Sequence, residues 1–466
     1  MYERYHIETS LVELPSTKIG KFKIIRDDKC LNCGRCINIC IYNVYERDLN
    51  DSRKMAEPIS HLCKNCFSCI QNCPQQALQM VKNREFENLG NKYWTPSIIY
   101  TIWNEAEDGK IPVYGAGYQG PFKGSGFDEI WTDMSEIVRP TRDGIHGREY
   151  IATAVDIGRK LSRLSDFKKF TLPNFHEIQI PMLLDTSLLS LKSLKNIILS
   201  IVKAAHQLKT FAFLEIENYF EELRPYLKSI ALRLHLNKIF KMDLELLKEV
   251  KFIEIILPLK FSNLQLEKAL KKIKKENQEA LISLGIINPS HSEEIFKQFQ
   301  EARADILSFH ANNCGKSFQG NIFISKLIRQ IHLDFVKRRM RDEITIIGKG
   351  GIAAAEHVPK LIICGADAVV LDLSLLVAMG CRICEICRIE YCPAELKKLD
   401  PNIGFQRIIN MIGAWRDQLL EILSAMGIKD VRRLRGEVGR AMFYEEIEKE
   451  SFGFIFNKNS LQNEGY

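Results

Sequence analysis

The sequence predicts an α/β protein in which a (β/α)8 barrel of the TIM type follows a small cysteine-rich α+β domain. The barrel is indicated by eight short apolar runs, most of them separated by segments with helical periodicity such as 189–208 and 321–340. Eight strands followed by helices over about 200 residues favour a closed barrel over an open doubly wound sheet. The predicted strands are residues 178–184, 210–216, 229–234, 252–257, 280–287, 305–310, 344–348 and 368–373.

The 466 residues divide into four stretches of different composition. Residues 1–85 hold two cysteine groups, and residues 86–170 form a connecting region rich in glycine and aromatic side chains. Residues 171–378 carry the barrel pattern, and residues 379–466 hold a third cysteine group and helices such as 404–427. A chain of this length with 46% hydrophobic residues is long enough for two or three domains.

Two copies of one cysteine spacing, C-x2-C-x2-C-x3-C, stand near the start of the chain. In two-cluster ferredoxins the first three thiolates of each copy bind one [4Fe–4S] cluster, and the fourth binds the other cluster. The spacing therefore predicts a two-cluster ferredoxin-like domain, in which Cys73 completes the first set and Cys40 the second. Zinc knuckles and disulfides are the alternatives, but zinc sites usually need a longer spacer and disulfides a secreted chain. The two copies are Cys30, Cys33, Cys36 and Cys40, then Cys63, Cys66, Cys69 and Cys73.

The net charge and the first residues of the chain indicate its cellular compartment and its binding partners. The first residues lack a basic region followed by an apolar run, so no signal peptide is expected, and the longest apolar runs are too short to span a bilayer. Clustered cysteines without an export signal indicate the cytoplasm. The net charge of +7 is spread over lysine-rich helices, most simply read as solvated faces. The alternative interpretation is that the lysine-rich helices form a docking face for an acidic electron carrier. No motif supports nucleic-acid binding.

Two further motifs follow the seventh and eighth predicted strands. Gly350 and Gly351 precede a helix, where backbone N–H groups can approach a phosphate, although a tight strand-to-helix turn explains them equally well. A third cysteine group comes directly after the eighth strand and ends in Cys-Pro. Without its second member, the spacing is C-x5-C-x4-C. The group comprises Cys381, Cys384, Cys387 and Cys392.

These motifs, together with segment 131–150, resemble the FMN-binding synthase domain of glutamate synthase, in the archaeal-type branch where a ferredoxin module precedes the barrel. The resemblance implies FMN at Gly350 and Gly351, and His310 at the end of the sixth strand is placed to contact flavin or substrate. A structural histidine is equally consistent with that position. The resemblance also implies a [3Fe–4S] cluster on Cys381, Cys387 and Cys392.

Three departures from the family pattern stand near the expected flavin site. Val370 and Asp372 replace glycines at the end of the eighth strand, and a carboxylate there repels a phosphate unless it points away. Ala355 replaces the third glycine of the preceding loop. Cys384 adds a fourth thiol, giving C-x2-C-x2-C. This predicts a [4Fe–4S] centre, unless Cys384 is a small core residue.

Two functions remain open at this point. The first is an iron–sulfur flavoenzyme that reductively aminates 2-oxoglutarate to glutamate, with electrons entering through the ferredoxin clusters. The second is a non-catalytic electron-transfer subunit of a larger redox complex that has lost its flavin and substrate site. Either function needs an electron-donor protein or reductase subunit. The first also needs ammonia, and because the chain begins without a glutaminase nucleophile, a separate glutaminase subunit is expected.

Overall fold

The computed structural model describes most of the chain, and segment 133–149 of the resemblance lies outside it. Among the described residues, no helix combines the length and apolar character needed to cross a membrane. The described residues are 5–112, 126–132, 150–159, 175–187, 194–241, 245–258, 261–287, 304–319, 321–384, 387, 391–437, 439 and 441–456.

The N-terminal cysteine groups lie in a small module with its own core. Strands β1 (Phe22–Arg26) and β2 (Leu78–Lys82) pair antiparallel, and two short helices, α1 (Arg35–Ile39) and α2 (Ser68–Gln71), lie between them in the chain. Several cysteines pack against the core, so the thiols and the apolar side chains share one interior. The buried residues of this core are Ile24, Val44, Tyr45, Met55, Cys69 and Leu78.

The connecting region joins the module to the barrel. Helix α4 begins at a Thr95 N-cap, whose hydroxyl accepts from the Ile98 N–H, and it ends at Gly109, which has a positive φ of 76°. Strand β3 pairs with a strand near the C-terminus, and β4 pairs antiparallel with β5. The elements are α3 (Arg84–Glu87), α4 (Pro96–Asp108), β3 (Ile130–Thr132), β4 (Val155–Gly158) and β5 (Phe175–Ile178).

Eight parallel strands close a barrel, which confirms the predicted fold. They follow chain order around the barrel, and the last strand pairs back to the first. Their residues are almost all buried, as expected for strands that face the barrel interior on one side and helices on the other. The strands are β6 (Met182–Asp185), β7 (Ala212–Glu215), β8 (Ile230–His235), β9 (Phe252–Leu257), β10 (Leu281–Ile286), β11 (Ile306–His310), β12 (Thr345–Lys349) and β13 (Ala368–Leu371).

The first predicted strand, 178–184, is in fact two strands separated by a bend. Residues up to Ile178 belong to β5, and the barrel strand β6 begins only at Met182. Pro181 lies between them, and its missing N–H prevents a continuous ladder. The β4–β5 pair reaches the start of β12, where the Thr345 hydroxyl donates to the Gly158 carbonyl at 2.8 Å. This pair therefore covers the N-terminal end of the barrel.

The helices that follow the strands are less regular than predicted. After β7 the chain forms a 3-10 segment, Glu221–Ser229, with Pro225 inside it, and after β8 it forms two short 3-10 turns. Proline and these short connections leave no room for a full α-helix. An α-helix follows each of β6, β9, β11, β12 and β13. The remaining helices of the described residues are α5 (Lys195–Gln207), α6 (Asn263–Glu276), α7 (Ile324–Lys337), α8 (His357–Ile363), α9 (Leu373–Ala378), α10 (Pro401–Ala425) and α11 (Tyr444–Phe456).

Helix α10 ties the two ends of the chain together. The buried Arg407 donates to three carbonyl oxygens, of Ala378 at 2.7 Å, Val12 at 2.8 Å and Trp103 at 3.2 Å. Asn410, one turn later, exchanges hydrogen bonds with the backbone of Ser10. The N-terminal segment is therefore held by a helix that lies 400 residues further along the chain.

Candidate functional site: three cysteine loops and the barrel mouth

The structure brings the predicted second ligand set of the module together. A single cavity in the N-terminal module is lined by Cys40, Cys63, Cys66 and Cys69. Burial raises the pKa of the Cys63 thiol, and the charges of the other three cysteines act in the same direction. Closely spaced, partly buried thiols resist deprotonation, and the positive charge of a bound iron–sulfur core would stabilise their thiolate forms. The donor set fits a [4Fe–4S] cluster.

Three members of the first ligand set, Cys30, Cys33 and Cys36, are also close together. Burial raises the pKa of the Cys36 thiol, and the nearby Cys30 and Cys33 add to the shift. Cys73, the predicted fourth ligand, packs against the same module core as Cys36 and accepts a hydrogen bond from the Ala77 N–H at 3.3 Å. Cys33 is exposed, so this set lies at the surface.

The third cysteine group also gathers its members. Burial raises the pKa of the Cys381 thiol to about 12, and Cys392, Cys384 and Cys387 each contribute. Cys384 is therefore close to the other three, and it is exposed and not part of the apolar core. Four thiols within electrostatic reach fit a cluster with four thiolate ligands.

One backbone feature is common to all three groups. The residue just before the second cysteine has a positive φ in each case: 53° at Asn32, 62° at Asn65 and 52° at Ile383. Asparagine tolerates this left-handed conformation, but a β-branched residue such as Ile383 adopts it only at a cost in free energy. The third loop thus makes the same turn between its first two cysteines as the ferredoxin-like loops, despite an unsuitable side chain.

The end of the barrel where the strands terminate is filled by charged side chains from different strands. Arg233 on β8 donates to Asp185 on β6 at 2.9 and 3.1 Å and to Glu254 on β9 at 2.5 Å. Lys349 on β12 donates to Asp185 at 2.6 Å, and His310 on β11 lies 3.2 Å from Glu254. The side chains are nearly inaccessible, with Lys349 the most exposed at 10%. We call these five residues the barrel-mouth network.

The network fixes the charge of its members. Burial alone would raise the pKa of Asp185, but Arg233 and Lys349 hold it well below its usual range. Burial likewise opposes ionisation of Glu254, and Arg233 and His310 bring its pKa down to about 2. Burial lowers the pKa of His310, although Glu254 opposes this shift. The two cations and two carboxylates therefore neutralise each other.

The Gly350–Gly351 turn follows β12 as predicted, but its glycines are packed against protein. Both have positive φ, 110° and 71°. A Cβ atom at Gly350 would lie 2.6 Å from the Ala311 carbonyl oxygen, and one at Gly351 would lie 2.6 Å from the backbone of Gly315. The Tyr93 hydroxyl also donates to the Gly351 carbonyl at 2.7 Å. Glycine is required at these two positions because the loop after β11 and the Tyr93 side chain pack directly against them.

Asp372 occupies the N-terminus of α9, directly after the eighth barrel strand. Its carboxylate accepts a hydrogen bond from the Leu373 N–H at 2.6 Å, and the side chain is fully buried. Burial raises the pKa of Asp372, while the ammonium of Lys349 opposes the shift. Its second oxygen has no hydrogen-bond partner among the described residues. A carboxylate thus holds the position where the family resemblance expects a flavin phosphate.

Sequence reasoning found His310 but missed the network to which it belongs. Arg233 and Glu254 each interrupt an otherwise apolar strand, and a charged residue inside a fully buried strand is a recognisable signal of a buried ion pair. Asp185 and Lys349 stand at strand ends, where no local pattern distinguishes them from surface charges.

The chain is similar to glutamate synthases along most of its length and to a ferredoxin over a shorter part. A family model described as "Conserved region in glutamate synthase" matches residues 260–429. The archaeal-type glutamate synthase [NADPH] of Thermotoga maritima is 26% identical over 93% of this chain and 97% of its own length. A ferredoxin of Pyrobaculum islandicum is 32% identical over 15% of this chain and 64% of its own. The flavin-binding domain of baker's yeast flavocytochrome b2 has a TM-score of 0.46 at 13% identity, covering 80% of this chain and 85% of that one.

Proposed function

We propose that the chain is a divergent relative of the archaeal-type glutamate synthases and an iron–sulfur oxidoreductase of the same kind. Electrons enter through the two clusters of the N-terminal module and pass to a third cluster beside the barrel. They are used there for the reductive amination of 2-oxoglutarate to glutamate. An electron-donor protein or reductase subunit supplies the electrons, and a separate glutaminase subunit can supply ammonia.

The observation that carries this proposal is the grouping of the twelve cysteines. The cysteine spacing divides the twelve thiols into sets of four, and one set lines a single cavity. The third set lies against the segment that leads into the module, because a Cβ at Gly380 would lie 2.8 Å from the Leu14 side chain and 3.0 Å from the Ser16 hydroxyl. Three electron carriers in one chain suit a relay, and a structural metal would not require three.

We propose that the third cluster is a [4Fe–4S] centre, because Cys384 joins the other three thiols and Ile383 keeps the ferredoxin-type turn. A three-iron centre lacks an iron at the corner that has no thiolate. The strained conformation of Ile383 has a purpose if the turn brings Cys384 to that corner.

The fit to FMN is weaker. The Gly350–Gly351 turn has the backbone conformation that a phosphate loop needs, but Asp372 opposes a phosphate at the neighbouring helix end. We propose that FMN binds weakly and at partial occupancy. When bound, a flavin supplies the hydride chemistry of the reaction.

The chain's own residues would contribute orientation and exclusion of water. Lys349 and His310 keep a small exposed fraction at the barrel mouth, so an anionic substrate would meet these two side chains first. Lys349 is held by Asp185 and Ser187, at 2.6 and 2.9 Å, and His310 by Glu254. This fixed geometry leaves little freedom for rearrangement.

A second candidate function is an electron-transfer subunit without its own catalytic site. The observation in its favour is the barrel-mouth network, which is neutral overall and nearly closed to solvent. In this case electrons leave the third cluster for another subunit. Both candidates share the cluster relay and differ in the use of the barrel.

Anaerobic purification followed by iron, flavin and activity assays separates these possibilities. We expect about 12 iron atoms per chain, from three four-iron clusters, and less than one FMN. Glutamate formation from 2-oxoglutarate and ammonium with a chemical electron donor supports the first function. Full iron content without flavin or glutamate formation supports the second. About four iron atoms, or zinc in place of iron, contradicts both.

A further inference from the structure

Arg382, between the first two cysteines of the third loop, connects this loop to the segments on either side of the module. Its guanidinium donates to the Glu85 carboxylate at 2.8 Å and to the Ser16 carbonyl at 3.1 Å. Its own carbonyl accepts from the Gly90 N–H at 3.0 Å. Three contacts therefore hold the Cys381–Cys384 turn against segments 14–20 and 83–90.

The same two segments touch the second cysteine loop of the module. A Cβ at Gly20 would lie 2.6 Å from the Ser60 carbonyl oxygen, and Asn83 donates to the Gly20 carbonyl at 2.8 Å. The Lys64 ammonium, next to Cys63, lies 5.8 Å from the centre of the Tyr100 ring on α4. The two segments thus lie between the Cys63–Cys66 turn and the Cys381–Cys384 turn.

Arg382 also acts on the third loop through its charge. Arg382 directly follows Cys381 and stands two positions before Cys384, so this cation belongs to the same short turn as two of the proposed ligands. The side chain is 19% exposed, so water screens this charge only partly. Its Nε–H is buried and has no acceptor among the described residues, a costly state that a sulfur atom of a bound cluster would relieve.

We propose that Arg382 is a positioning residue for electron transfer into the third cluster. Its contacts with Glu85 and Ser16 hold the loop beside the module, and its positive charge raises the midpoint potential of the third cluster. One electron leaves a reduced cluster of the module, which is oxidised, and reduces the third cluster without any bond being made or broken. Because reduction adds a negative charge to the cluster, a nearby cation favours the reduced state. This inference rests on the proposed relay of three clusters.

The test is an anaerobic redox titration of the full-length protein, followed by electron paramagnetic resonance. Arg382→Gln and Glu85→Gln each break the same ion pair but remove charges of opposite sign. We expect Arg382→Gln to lower the midpoint potential of the third cluster, with the reduced-to-oxidised ratio at the wild-type midpoint falling on the order of tenfold. Glu85→Gln should raise the potential or leave it unchanged, and Arg382→Lys should restore most of the wild-type value.

Arg329→Gln is the matched control, because Arg329 also pairs with a glutamate at 2.7 Å and also has a buried Nε without a described acceptor. Its partner, Glu446, lies on the C-terminal helix, away from the three loops. Loss of the Arg329–Glu446 ion pair should therefore leave the midpoint potentials of all three clusters unchanged. A shift in the same direction for Arg382→Gln and Glu85→Gln would show a purely structural role and overturn the proposal. An Arg382→Gln protein with an unchanged potential would overturn it too. Absence of the third cluster from the wild-type protein would contradict the relay itself.

Discussion

The cysteine loops and the barrel mouth are both places where the resemblance to glutamate synthases implies a cofactor, yet they differ in construction. In the loops the thiols face one another, and the turn before the second cysteine is the same in all three. In the barrel mouth the charged groups pair with each other, and the glycine turn is packed against a neighbouring loop. The four thiols that bind a cluster can come from one or two loops. A flavin site is built from residues at the ends of several strands, so substitutions at a few of these ends can fill it with side chains.

Replacing Arg233 by methionine should have the largest effect, because it leaves Asp185 and Glu254 buried without their shared cation. Breaking a buried ion pair in this way typically costs about 3–5 kcal/mol of unfolding free energy. Thermal unfolding under anaerobic conditions measures the loss, and iron content reports on the clusters. Arg224→Met is the control, since Arg224 is exposed and its ion pairs with Glu221 and Glu249 lie at the surface. Equal losses in the two variants would mean that the network does not stabilise the barrel.

Replacing Cys384 by serine tests how far the third loop follows the ferredoxin pattern. We expect the variant to lose about one iron atom per chain and to show a strong three-iron signal in electron paramagnetic resonance after mild oxidation. Cys314→Ser, which changes a cysteine outside the three groups, should leave the spectrum unchanged. A strong three-iron signal in the undamaged wild type that the variant does not alter would contradict the four-iron assignment.

Replacing Asp372 by glycine tests whether the barrel mouth can be reopened for a flavin. Removing the buried carboxylate should increase FMN retention by about tenfold, since charge repulsion with the phosphate is lost. Asp372→Asn separates the two roles of the residue, because asparagine can still cap α9 but carries no charge. Flavin released on denaturation is measured per chain. Stoichiometric, tightly held FMN in the wild type would refute the view that Asp372 weakens the site.

An effect that should appear only at high pH concerns Glu105 on α4. Burial raises its pKa to about 7, although Trp415 and Gln418 donate hydrogen bonds to it. Since the folded-state pKa lies above the unfolded value of 4.5, folding favours the protonated form, and this stability is lost as the pH rises from about 4.5 past 7.

The expected result for Glu105→Gln is a higher melting temperature than wild type at pH 8 but not at pH 5. The difference is about 3 kcal/mol at most, because one pKa unit corresponds to about 1.4 kcal/mol. Glu107→Gln, on the same helix and partly exposed, serves as the control for replacing a glutamate of α4. Parallel melting curves for Glu105→Gln and wild type at both pH values would contradict this prediction.

The difference between the two regions also explains what the sequence could predict. All eight barrel strands were predictable because each is a compact apolar run, and the cysteine spacing is local enough to define ligand sets. The break at Pro181 and the 3-10 segments after β7 and β8 depend on single residues and short connections. The barrel-mouth network joins five strands, and the contacts of Arg382 join positions almost 300 residues apart. Such contacts follow only from the closed barrel.

The contacts of Arg407 and Asn410 with the N-terminal segment have a consequence for the timing of synthesis. The module's cysteines and core are complete within the first 82 residues, whereas residues 10 and 12 find their side-chain partners only when α10 has been made. At about 5–20 residues per second, the ribosome needs roughly 20 to 80 seconds to reach that helix. Until then residues 10 and 12 lack these partners, so the N-terminal segment can be fixed to α10 only after both cysteine groups of the module have been synthesised.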